Sequence, residues 1–280
     1  MSQSPHVVKA MRWGRRMGDE AMIDAMNAIL HDPFGAGHMG VTAENMADRY
    51  GITREQQDAL AAESHRRGSV AQREDRFRDQ IVPVEVKSRN GTYLFKVDEH
   101  VRPDVSEAAL ASLKPLFRKD GGTVTAGNSS GINDAGAALV LASAAAAEAR
   151  GLTPRARVVA WGHAGVAPEV MGLGPVEAVP IALKRARLSL DQIDVIEANE
   201  AFAAQACAVA KLLDFPPEKV NPNGSGIGLG HPVGATGAII TIKALHELER
   251  IGGRYGLVTM CIGGGQGIAL IIERLPQVRG

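Results

Sequence analysis

Apolar residues recur along this chain at two different periods, and the changes of period mark its elements. Residues 43–50 and 53 to about 67 carry small and apolar side chains at helical spacing. Thr42 is a candidate N-cap for the first helix. Thr53, with Gln56 three residues on, has the signature of a capping box for the second. Residues 81–86 and 93–97, IVPVEV and YLFKV, read as strands, and the Asn90-Gly91 dipeptide between them is a hairpin signal. Pro83 places the first of the two at a sheet edge. The first 40 residues hold no sustained period, and Arg12, Arg15 and Arg16 around Trp13 read as a solvated basic turn.

Further on, VRPDVSEAALASLKPLF reads as a short helix with extended flanks. Residues 121–134, GGTVTAGNSSGIND, form a polar loop of small residues. Residues 137–142 are an apolar run that predicts a strand, followed by an alanine-rich helix to Arg150 and a boundary at Leu152-Thr153-Pro154. A regular rhythm then begins. Strand-like residues 157–161 precede a helix opened by Gly174-Pro175, with proline at a favoured early position. A short buried strand at 193–196 leads to a helix over 199–213. A glycine-rich stretch, 221–237, runs into a helix over 235–250. Two core strands, 255–260 and 268–273, close the chain around CIGGGQG. Strands alternating with helices predict an α/β layered architecture.

Composition narrows the class without choosing a function. The 280 residues are 45% hydrophobic and 22% charged, with equal numbers of basic and acidic side chains. A net charge of zero gives no field for nucleic acid or an anionic membrane surface. Two cysteines, Cys207 and Cys261, cannot build a disulfide framework and point to a reducing compartment. No apolar run reaches spanning length and the N-terminus lacks a signal-peptide core, so a cytoplasmic location is expected. His65, His100, His163 and His246 are scattered without metal-ligand spacing, and Cys207 sits among alanines as a packing residue.

Three residues of the last third share one design, a polar or reactive side chain just past a strand among small residues. They are Asn199 in EANEAF, His231 in GLGHPVG and Cys261 in TMCIGGGQG. Ligands of α/β sheets bind beyond the carboxyl ends of strands. A cysteine near a histidine is a candidate acid–base or nucleophilic pair, and the N–H groups of Gly263 to Gly265 could serve an oxyanion. Singly, each has a bland alternative: a buried small hydrophobe for Cys261, a structural imidazole for His231, a helix cap for Asn199. Their common position is what favours chemistry.

These residues lie in motifs that resemble the thiolases: NEAFAAQACAVAK, VNPNGSGIGLGHPVGATG and LVTMCIGGGQGIAL, preceded by HMGVTAEN, TREQQDALAAESHRR and GTVTAGNSSGIND. The resemblance runs from Ser2 to Glu273 and is nearest the bacterial β-ketothiolase and acetyl-CoA acetyltransferase type. It implies an α/β, five-layered αβαβα fold of two similar halves with a lid-like loop domain, commonly tetrameric, acting on acetyl-CoA and 3-ketoacyl-CoA by thiolysis or Claisen condensation, with no cofactor beyond the coenzyme A thioesters themselves. By resemblance, His231 is the base and an oxyanion donor. Cys261 is the acid/base for the leaving thiolate or the α-proton. Asn199 holds a water in the first oxyanion hole and the Gly263 N–H serves the second. Ser130 and Ala126 line the pantetheine site, Arg102 approaches the adenine and phosphate end of CoA, and His38, Met39, Phe117 and Phe202 wall the tunnel.

The resemblance also divides the chain: a loop domain over 1–132, a remnant of the N-terminal thiolase domain over 133–153, and the C-terminal domain over 154–280. The family's nucleophilic cysteine, in a Cys-x-Ser-Gly context, has no counterpart among these residues, since Cys207 and Cys261 match other positions. Three expectations follow. The chain is an inactive fragment of a catalytic acyltransferase; or it is a non-catalytic acyl-CoA-binding remnant; or it is an interaction subunit. The strand at 137–142 is expected to lack sheet neighbours and to leave apolar surface exposed.

Overall fold

A computed structural model describes residues 1–276 of the chain. The first 40 residues form a small, mostly exposed unit, with β1 (His6–Val7) antiparallel to β2 (Ile23–Asp24) and a short helix α1 (Ala25–Ile29). Trp13 is 91% exposed, as a solvated turn requires.

Helices α2 (Met39–Tyr50) and α3 (Arg54–Arg73) follow. The Thr53–Gln56 capping box is present in both directions. The start of α2 differs from the sequence expectation. Its N-cap is His38, whose Nδ1 accepts the Gly40 N–H at 3.0 Å, while Thr42 lies inside the helix and donates back to Met39 O at 2.7 Å. An imidazole nitrogen can satisfy an orphan N–H as a hydroxyl does, and composition rules for caps do not include it. The hairpin β3 (Val84–Ser88) and β4 (Gly91–Phe95) stands apart as a two-stranded sheet. Two short helices, α4 (Glu107–Ala111) and α5 (Ala144–Ala149), complete the first half.

Residues 137–142 are not a strand. They have no regular structure, and Val140 and Leu141 are 93% and 81% exposed. A strand is defined by the neighbours that take its N–H and C=O groups, and no described strand lies beside this one. The expectation of exposed apolar surface holds.

The second half is built on one four-stranded sheet. Its members are β5 (Ala156–Gly165), β6 (Val195–Ala198), β7 (Tyr255–Ile262) and β8 (Gln266–Arg274), in the order β5-β8-β7-β6, with β6 and β7 parallel and the other pairs antiparallel. Helix α6 (Gly174–Ala186) and helix α7 (Ala203–Leu212) cover one face; α9 (Thr236–Ile251) covers the other, preceded by a single turn, α8 (Gly226–Leu229). Strand residues sort by period two. Ile196, Leu257, Ala269 and Ile271 pack with Ala178, Val179 and Ala182 of α6. Val195, Val258 and Ile272 pack with Ile240, Ala244 and Leu248 of α9. That two-sided burial is why these strands read as continuous apolar runs. Among the described residues, the four-stranded sheet and its helices form three layers, helix on sheet on helix. A second core joins the halves, with Ala43, Met46 and Ala47 of α2 against Ala204 and Ala208 of α7.

Candidate active site

The site forms where β6 and β7 end. Asn199 follows β6, and its backbone N–H donates to Thr259 O on β7 at 3.0 Å, which sets it beside the end of the strand that carries Cys261. Asn199 is 1% exposed. Its amide Nδ2 lies 3.4 Å from His231 Nε2, at the long end for a hydrogen bond, and its Oδ1 has no partner.

His231 is held on its other side by Thr236, the first residue of α9, whose Oγ1 is 2.7 Å from Nδ1. Thr236 Oγ1 is also 3.0 Å from Pro232 O. A carbonyl only accepts, so the single hydroxyl hydrogen goes to Pro232 and the oxygen accepts from His231 Nδ1–H. Both contacts are satisfied only by the tautomer whose Nε2 carries a free lone pair. Burial lowers the pKa of His231 to about 4, so the ring is neutral at physiological pH. A neutral imidazole with Nε2 open toward Asn199 is a base; once protonated there, the same nitrogen becomes a donor.

Cys261 is buried near the end of β7 in a cluster with Met39, Met171, Ala201 and Phe202. Burial pushes its thiol up to about 11. Only its own backbone N–H opposes desolvation, and the thiol stays protonated. Two residues on, Gly263 sits under Met39: a Cβ there would lie 2.9 Å from the methionine methyl. Phe117 stacks on His38 at 4.7 Å and meets Phe202 edge-on at 6.2 Å, so the four expected wall residues are contiguous with the Cys261 cluster. Ser130 joins them through its backbone N–H, which donates to Ala201 O at 3.0 Å.

Two expected residues face solvent. Ala126 is exposed on the turn that Asn128 closes by accepting the Thr125 N–H. Arg102 is exposed, and its backbone N–H donates to His65 Nδ1 at 3.2 Å. His65 and His100, read as scattered, stack with ring centroids 6.1 Å apart. They are 35 positions apart in sequence, so no local spacing signals the pair.

The glycine-rich stretch packs against the backbone of α3. Glu200 is fully buried and accepts from Ser64 Oγ at 2.6 Å and Asn221 Nδ2 at 2.9 Å. Ser64 Oγ in turn accepts the Ser225 and Gly228 N–H groups at 3.2 and 3.1 Å. Lys243 of α9 pairs with buried Glu197 at 2.8 Å and donates to Gly224 O. A Cβ on Gly228 would lie 2.6 Å from Ser64 O, so this glycine admits the backbone of α3 rather than a ligand. Glu200 is the anchor of the loop that presents His231. Sequence reasoning missed Thr236, Met171 and Asn133, which touch His231 or Cys261. Of these, only Thr236 lies close by in sequence, five residues after His231.

A sheet covered on both faces, with a neutral imidazole, a protonated thiol and a buried amide on the loops and strand ends beyond it, is the arrangement in which an α/β fold presents a polar site. The family models for the thiolase N-terminal domain and the thiolase C-terminal domain match residues 1–145 and 152–274. The β-ketothiolase BktB of Cupriavidus necator is 62% identical over 275 residues, covering 98% of this chain and 70% of the relative. The acetyl-CoA acetyltransferase of Chromobacterium violaceum is 50% identical with the same coverage. In crystal structures, the acetyl-CoA acetyltransferase of Bacillus anthracis superposes with a TM-score of 0.94 at 49% identity, over 98% of this chain and 69% of that one. Human mitochondrial 3-ketoacyl-CoA thiolase in complex with CoA superposes at 0.90 with 41% identity, over 98% and 68%. The chain belongs to the thiolase family.

Proposed function

We propose that this chain binds acyl-CoA thioesters and carries the proton-transfer and oxyanion groups with which a thiolase performs thiolysis of 3-ketoacyl-CoA or Claisen condensation of acetyl-CoA. The observation that carries the reading is His231, with Nδ1–H tied to Thr236 and the Nε2 lone pair facing Asn199. In that role His231 takes a proton from a thiol nucleophile at Nε2, then donates to the developing oxygen charge, with Asn199 as second donor. Cys261, protonated in the unliganded site, delivers its proton to the carbanion released on thiolysis; in condensation the same thiol first gives its proton to the departing CoA thiolate, and the thiolate so formed takes the α-proton of the acceptor. The Gly263 N–H serves the second oxyanion. His38, Met39, Phe117, Phe202, Ser130 and Ala126 form the acyl and pantetheine walls, and Arg102 the adenine-phosphate end.

The reading assigns the covalent half-reaction to neither cysteine present. Cys207 lies on α7, with burial raising its thiol to about 12, and its Sγ is directed at Gln56 O at 3.7 Å. On this reading the 280-residue chain alone binds acyl-CoA without turnover. The companion reading is a homo-oligomeric, cytoplasmic thiolase, tetrameric as in its family. Calorimetry with CoA, paired with an acetoacetyl-CoA thiolysis assay, tests the proposal. Binding without thiolysis is expected. No heat at millimolar CoA would remove the binding claim, and turnover would remove the claim about the cysteines.

A further inference from the structure

The loop that carries His231 is held at both ends by two side chains outside the site described so far. His100 Nε2 lies 3.0 Å from Ile227 O. Asn133 Nδ2 lies 3.3 Å from His100 Nδ1, and Asn133 Oδ1 accepts the His231 backbone N–H at 3.2 Å, a hydrogen shared with Gly131 O at 3.3 Å. A carbonyl only accepts, so His100 Nε2 carries its hydrogen and Nδ1 is left to accept from the asparagine amide. Every donor and acceptor in the chain from Ile227 to His231 is thereby assigned in one direction. Space for it is made by two glycines. A Cβ on Gly131 would stand 2.3 Å from His100 Cε1, and one on Gly230, whose φ is +96°, 2.5 Å from Asn133 Oδ1.

We propose that His100 and Asn133 are positioning residues for His231, clamping residues 227–231 between a carbonyl at one end and an N–H at the other. The proposal rests on the reading of His231 as the base. The pair does not touch substrate; it fixes the backbone from which the imidazole reaches Thr236 and Asn199. His100 also stacks on His65, which accepts the Arg102 N–H. The clamp and the residue expected at the CoA phosphates therefore share residues 100–102.

The test is an imidazole nitrogen NMR titration of His231 in the full 280-residue chain, without substrate. Intact, the clamp keeps His231 buried, in one tautomer and with its low pKa near 4. His100→Ala and Asn133→Ala should each mix the tautomers and raise the pKa by about one unit or more toward 6.5. The double variant should go no further than the worse single one, because the two act in series. His100→Gln supplies one donor and one acceptor without charge and should restore most of the wild-type titration. His231 unchanged in folded His100→Ala and Asn133→Ala chains would overturn the proposal. So would His100→Gln shifting as far as His100→Ala, since volume alone would then be at work. If Asn133→Ala fails to fold, the two His100 variants still decide. Failure of the functional reading would show in CoA binding and thiolysis, which this titration does not use.

Discussion

The imidazole Nδ1 of His231 and the hydroxyl oxygen of Thr236 lie 2.7 Å apart, and that contact decides which ring nitrogen keeps its lone pair. Thr236→Val removes the acceptor while keeping shape. The expected outcome is a mixture of His231 tautomers in nitrogen NMR and a stability loss of about 1 kcal/mol. Thr236→Ser should keep the wild-type spectrum. A single unchanged tautomer in Thr236→Val would show that something else holds the ring.

Acid should weaken the fold through its buried imidazoles. His231 and His65 both have folded pKa values near 4, lowered first by burial, against about 6.5 unfolded. Between those values the unfolded chain binds more protons. Stability is therefore fully present above pH 6.5 and is lost as pH falls toward 4. The His231 contribution is on the order of 3 kcal/mol. Urea melts across that range should show a shallower pH slope in His65→Gln than in wild type. An identical slope would contradict the assignment for His65.

Ser64 is the hinge between α3 and the glycine-rich loop. Ser64→Ala strands the Ser225 and Gly228 N–H groups and takes one partner from the Glu200 carboxyl. A cost of about 2 to 3 kcal/mol is expected for so many buried groups. Gly228→Ala, which drives a methyl against Ser64 O, should cost at least about 2 kcal/mol. Denaturant midpoints for the two variants check both figures.

Both thiols should be slow toward alkylation. Burial raises Cys261 to about 11 and Cys207 to about 12, so the reactive thiolate is scarce at neutral pH. Iodoacetamide should modify each at least about tenfold more slowly than a free thiol. Rapid labelling of Cys261 would mean that its thiolate is stabilised after all.

How much of this was legible in the sequence depended on how local the cause was. The central strands were readable because both their faces are covered, which leaves a continuous apolar run. Residues 137–142 have the same apolar character, yet a strand also needs neighbours, and no run of residues says whether they are there. The Thr53 cap was visible because its partner is three residues away. His38 was not, because an imidazole seldom caps a helix. Asn199, His231 and Cys261 announced themselves by following strands among small residues. His100 and Asn133 reach His231 across 131 and 98 positions, and Ser64 reaches Glu200 across 136, distances over which only the fold carries information.

The account turns on Cys261 as a proton carrier rather than a nucleophile. The most direct measurement is the intact mass and peptide map of the purified chain, acid-quenched after incubation with acetyl-CoA. The prediction is an unmodified chain, with neither Cys261 nor Cys207 acetylated, under conditions where calorimetry registers CoA binding. A stoichiometric acetyl thioester on Cys261 would contradict it.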